Sequence, residues 1–166
     1  MTASDDHILL PPGPGKTVLL QGNQLTFVHR DSADAYSLID WITPPGLPSP
    51  PLHIRRVTDE AFYVLAGTYG FQAGEDTIEG SAGAFVLIPR GLKHTFWNQG
   101  SLPARVLIVV SPSGFERYFE ELADGLAAVG DVPEAAMSLR KALSERYDIE
   151  VVGPPRQLDT PLPEDS

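Results

Sequence analysis

The residues able to do chemistry are concentrated in two short stretches. His53-Ile54-Arg55 is followed closely by Asp59-Glu60, and a second stretch reads His94-Thr95-Phe96-Trp97-Asn98. Residues two apart on a strand project from the same face. His53 therefore shares a face with Arg55, Glu60 with Phe62 and Val64, and His94 with Phe96 and Asn98. If those faces line one barrel interior, two imidazoles and a carboxylate meet among aromatic rings. A 2-His-1-carboxylate set suits Fe(II) and related divalent ions. A mostly apolar cleft with a few polar groups equally suits a small organic ligand. His53, Glu60 and His94 are the candidate metal ligands. Arg55, Phe62 and Phe96 are the candidate pocket walls, and Glu60 and Arg55 the candidate catalytic pair.

Arg55 leaves three outcomes open. A guanidinium stays protonated and has no lone pair for a metal. It could repel a cation held by the other three, close the site by pairing with Glu60, or orient an anionic substrate by bidentate hydrogen bonds. Glu60 could act as a base if it lies within hydrogen-bond reach of a substrate proton. The other histidines, His7 and His29, have no partner in sequence. Trp41 and Trp97 read as core residues, with Trp97 facing away from the pocket. Asn98 reads as the brace of a turn. Gly15-Lys16-Thr17 lacks the upstream glycine and the following helix of a phosphate-binding loop.

These side chains need strands to carry them. Sixteen prolines and fifteen glycines punctuate short apolar runs, the texture of many strands joined by turns. Strands are predicted near 17–20, 24–29, 36–43, 52–55, 61–66, 68–73, 76–79, 84–88, 94–98 and 104–111. So many strands curl or split into two layers, giving a barrel or jelly roll. From Ser113 the period becomes helical, with Phe115, Tyr118, Phe119, Leu122 and Leu126 on one stripe. Ser113-x-x-Glu116 and Asp131-x-x-Glu134 have capping-box spacing, and a second helix is predicted from about Pro133 to Tyr147. Both helices are expected to cover an open end or edge of the barrel. The organisation expected is a flexible lead-in over 1–15, a barrel over 16–112, helices over 113–152 and a disordered tail over 153–166.

Composition narrows the partners. Twelve basic against twenty-two acidic residues give a formal charge of −10, which disfavours nucleic acid and anionic membranes. No cysteine is present, so thiolate ligands, disulfides and a cysteine nucleophile are excluded. The amino terminus lacks the basic and apolar regions of a signal peptide, and a soluble, cytoplasmic protein is expected.

The two stretches resemble the paired motifs of the cupin superfamily. The second fits G-x5-P-x-G-x2-H-x3-N at Gly83, Pro89, Gly91, His94 and Asn98. The first resembles G-x5-H-x-H-x4-E-x6-G through His53, Glu60 and Gly67, with Gly46 one residue further out and Arg55 where the second histidine belongs. Asp59-Glu60-Ala61-Phe62-Tyr63-Val64-Leu65, Pro89-Arg90-Gly91 and Pro112-Ser113-Gly114-Phe115-Glu116 are similar to small single-domain quercetin 2,3-dioxygenase-like cupins. That resemblance implies an all-β double-stranded β-helix (jelly-roll barrel) with two C-terminal helices, often a homodimer. It also implies one divalent metal ion (Fe, Ni, Mn or Zn) on His53, Glu60 and His94. If the chain is an enzyme, it implies a metal-dependent dioxygenase acting on a small aromatic or enolisable compound. With Arg55 in the first motif, the alternatives are a metal-free binding cupin, or a metal-independent isomerase or cyclase anchoring an anion on Arg55.

Overall fold

The computed structural model describes residues 15–30 and 35–157. Alternating side chains build two antiparallel sheets. β1 (Lys16–Leu20), β2 (Asn23–Arg30), β3 (Ser37–Thr43), β4 (Pro51–Arg55), β5 (Asp59–Ala66) and β6 (Thr68–Ala73) come first. β7 (Asp76–Ser81), β8 (Phe85–Ile88), β9 (His94–Asn98) and β10 (Ala104–Ser111) follow. After α1 (Glu116–Val129) and α2 (Pro133–Arg146), the chain returns as β11 (Ile149–Pro155). One sheet runs β1-β2-β3-β10-β5-β8 and the other β11-β4-β9-β6-β7. This is the jelly-roll barrel with two C-terminal helices that the sequence predicts.

The inward faces fill the space between the sheets. Leu25, Ile39, Phe62, Val64, Val106 and Val110 of the first sheet are fully buried, as is Tyr69 of the second. In β10, buried residues alternate with exposed or partly exposed ones. Gly67, Gly83 and Gly91 all have positive φ, 74°, 92° and 86°. That conformation explains why glycine stands at these turns, since a side chain there meets backbone strain. α1 buries Phe119 and Leu122 and packs on β1 and α2. The two helices approach closely at Gly125, where a Cβ would lie 2.5 Å from Leu139.

Some local expectations are corrected. The helix caps fall elsewhere than Ser113 and Asp131: the residues before the helices are Phe115 and Val132, neither of which makes a side-chain cap bond. Glu116 turns inward instead, where its Oε2 accepts from the Ser37 hydroxyl and, at 2.8 Å, from the Gly114 N–H. The tail does not begin at residue 153, because β11 continues to Pro155 and pairs with β4. Residues 158–166, and the lead-in up to residue 14 with His7, lie outside the described residues.

Candidate functional site

His53 and His94 are partners in register across β4 and β9, so their rings stand side by side, centroids 4.4 Å apart. Glu60 enters from the opposite sheet on β5, next to Val110 of β10 and Ile88 of β8. The candidate ligands thus meet between the sheets. Their donor atoms lie within 4.8 Å of one another, a cluster that could hold a metal ion.

The surroundings fix each element. Arg90 of the β8–β9 turn binds Asp59 through its backbone N–H at 2.8 Å and its guanidinium at 2.7 and 3.1 Å. These bonds hold the Asp59 carboxyl at about 2. The Gly91 N–H donates to the Arg55 carbonyl at 2.6 Å. Asp148, ahead of β11, accepts from the Arg56 and Val57 N–H groups at 2.8 and 3.0 Å. β11 then pairs Ile149 with Arg55 and Val151 with His53. The corner bearing Arg55 is therefore held by a strand that arrives almost a hundred residues later in the chain.

Both imidazoles point Nδ1 at a main-chain carbonyl: His53 at Pro51, 2.8 Å away, and His94 at Leu92, 3.0 Å away. Each Nε2 then faces the cluster. His94 Nε2 lies 2.7 Å from Glu60 Oε2. Burial, then the charges of Arg55 and His94, lower the His53 imidazole to about 3, with Glu60 opposing.

Arg55 completes the cluster. It is 5% exposed, and its carbon lies 3.4 Å from the centre of the Phe115 ring, within cation–π range. Nη2 binds Glu60 Oε1 at 3.2 Å, and Nε lies 3.5 Å from His53 Nε2. Nη1 is buried without a hydrogen-bond partner among the described residues. Burial pulls the guanidinium below its ordinary value, against the pull of Glu60. For Glu60, burial would raise the carboxyl, but Arg55 and the His94 hydrogen bond hold it at about 2. The donor chemistry of the three ligands fits a divalent ion on its own; with Arg55 in place it does not. A permanent cation already occupies one carboxylate oxygen and faces the His53 lone pair.

The cluster forms one end of a cavity of about 440 Å³. Trp41, Phe96, Ile108, Phe115, Tyr118 and Phe119 make its apolar wall. Arg55, Glu60 and His53 line it, as does Phe96. Phe62 does not: it lies wholly inside the core against Phe71 and Phe96. Trp97 is outside this cavity, beneath the Arg156 guanidinium at 4.5 Å. Asn98 braces its turn, donating to Thr43 and Leu102 carbonyls and accepting from Gly100 N–H. The helical side of the wall, with Arg140 on α2, was not legible as site. The aromatic stripe of α1 was visible in the sequence, but nothing there distinguishes a cavity wall from a simple cover.

The His53 environment makes a prediction about acid stability. Its folded value lies below the ordinary imidazole value of about 6.5, so the fold requires the neutral ring. Stability should be complete above about pH 6.5 and fall towards pH 3, by up to about 1.4 kcal/mol per pH unit. Carboxylates held low, such as Glu60, add their loss only below about pH 4.5. Urea unfolding at pH 7.5, 6 and 5 should show a shallower slope in His53→Gln than in the wild type. Parallel slopes would assign the acid lability to another group.

Residues 40–110 match the cupin domain family. No curated protein matches the chain. Among solved structures, a predicted oxalate decarboxylase of Thermotoga maritima is 18% identical, with a TM-score of 0.58 over 63% of this chain and 99% of its own. The cupin domain of Schizosaccharomyces pombe Cnp3 is 15% identical, with a TM-score of 0.52 over 72% of this chain and 80% of that one. Pac13 of Streptomyces, solved with uridine and described as a nucleoside dehydratase, is 12% identical with a TM-score of 0.53. It covers 67% of this chain and 86 to 87% of its own. At these identities the likeness concerns the fold, and it does not reach the quercetin 2,3-dioxygenase-like subtype. The two-sheet barrel, the domain match and the shared fold together support the cupin superfamily for this chain.

Proposed function

We propose that this cupin binds a small anionic organic molecule without a metal, using the Arg55 guanidinium as its anchor. The observation that carries this reading is the unpartnered Nη1 of Arg55, buried in a side chain that lines the cavity. An unsatisfied buried donor on a charged group costs several kcal/mol unless a partner arrives, and a carboxylate or enolate oxygen is the natural partner. Glu60 takes up Nη2 of the guanidinium at 3.2 Å, and Nη1 stays available to a ligand oxygen. The aromatic wall then receives an apolar, planar body.

Binding fits these residues better than acid–base catalysis. An efficient general base has a pKa near the working pH. Glu60 at about 2 and His53 at about 3 are far below neutrality. The dioxygenase reading requires a metal on the three donors, which sets the ion beside the guanidinium.

The test uses cinnamate, an aromatic monocarboxylate, measured by calorimetry on untagged protein dialysed against chelator. Affinity should survive chelation and fall at least tenfold in Arg55→Gln. Arg55→Lys, which keeps the charge but not the fork, should recover part of it. Affinity that vanishes on chelation and returns with Fe, Ni, Mn or Zn would overturn the proposal in favour of a metal enzyme.

A further inference from the structure

A second cavity of about 270 Å³ adjoins the first. The two share Trp41, Phe96, Tyr118, Phe119 and Arg140 as common walls. The space is therefore two chambers with a common wall, of which Arg140 is the one charged member. Arg140 is half-buried on α2. It forms no ion pair among the described residues. Its neighbours do not neutralise it. Glu145, also at the main cavity, forms no ion pair with Arg140 among the described residues, and Lys141 beside it is a further cation.

Of the basic side chains near the helices, Arg30 and Lys16 pair with Glu120 and Arg146 with Glu121. Arg117, Lys141 and Arg140 form no ion pair among the described residues, and of these three only Arg140 is half-buried and lines both cavities. The Arg140 charge instead acts on Tyr118, whose hydroxyl burial raises and Arg140 opposes. Two guanidiniums thus face one aromatic-walled space, Arg55 from the barrel and Arg140 from the helices.

We infer that the ligand is an elongated acid with an anionic group at each end, and that Arg140 is the residue that selects the second one. This rests on the reading of Arg55 as inner anchor. The planar middle lies among Trp41, Phe96 and Phe119, one end reaches Arg55 and the other reaches Arg140. Arg140 is then a specificity-determining residue, and α2 is part of the binding site as well as a cover.

A matched pair of probes tests this: cinnamate and 4-carboxycinnamate, titrated into wild type, Arg140→Gln, Arg140→Lys and Arg55→Gln. The diacid should bind wild type about tenfold more tightly than the monoacid. That ratio should collapse to about one in Arg140→Gln and be partly restored in Arg140→Lys, with both acids weakened in Arg55→Gln. Thermal unfolding of each variant separates lost binding from lost fold. A ratio near one in wild type, with cinnamate still dependent on Arg55, would overturn this inference and leave the inner anchor standing. A tenfold ratio persisting in Arg140→Gln would overturn the role of Arg140. Failure of both acids to bind wild type would overturn the inference and the reading beneath it.

Discussion

Replacing Arg55 by histidine is expected to raise bound divalent metal from a trace to about one ion per chain. The other donors are already arranged for it. His53 and His94 each have Nδ1 against a main-chain carbonyl, the outer contact that orients a ligating imidazole and leaves Nε2 for the ion. Glu60 faces both from the opposite sheet. What opposes binding is the Arg55 charge. Two unit charges about 4 Å apart repel by about 4 kcal/mol at an effective dielectric of about 20, and a divalent ion doubles that. Each 1.4 kcal/mol is about tenfold in affinity, so removing the guanidinium should strengthen binding by several orders of magnitude. An imidazole at that position also adds a fourth donor on the face His53 uses. Elemental analysis of untagged protein purified without chelators reads the result directly. Stoichiometric metal in the wild type, lost in His94→Ala, would show that three donors suffice beside Arg55 and would return the dioxygenase reading to first place.

That arginine was visible in the sequence as a departure from a motif, but its consequence was not. Alternation in β3 and the motif spacing around His94 are local patterns, and both strands and faces follow from them. Turn glycines such as Gly67 and Gly91 are local in the same way, since a positive φ is demanded wherever the chain reverses. β11 is not local. Gly153-Pro154-Pro155 reads as a loop, and only pairing with β4 makes a strand of it, so tertiary contact outweighs the residues' own preference. Phe62 and Phe96 carried the same sequence signal, yet one is wholly in the core and the other walls the cavity. The difference is depth between the sheets, which alternation cannot report. Arg140 stands furthest from legibility, because its significance depends on two cavities that exist only once α2 has docked.

The second large effect concerns stability. Arg55→Leu is expected to destabilise the protein by about 3–5 kcal/mol, because it strands a buried carboxylate. Glu60 is 3% exposed, and its remaining partner is His94. Glu60→Leu should cost a similar amount by leaving the guanidinium on Phe115 with no counter-charge. The double variant Arg55→Leu/Glu60→Leu should cost less than either single one, since a buried ion pair exchanged for apolar side chains of similar volume is often neutral or stabilising. Urea unfolding of the four proteins closes the cycle, and the coupling energy is the deviation from additivity. Additive costs would mean that the two groups do not depend on each other, contrary to the 3.2 Å contact. A coupled pair that the fold could do without is better explained by binding than by stability. The double variant should then be folded and unable to bind cinnamate. If it binds as the wild type does, the anion anchor is not Arg55, and the pair serves only to fill the barrel.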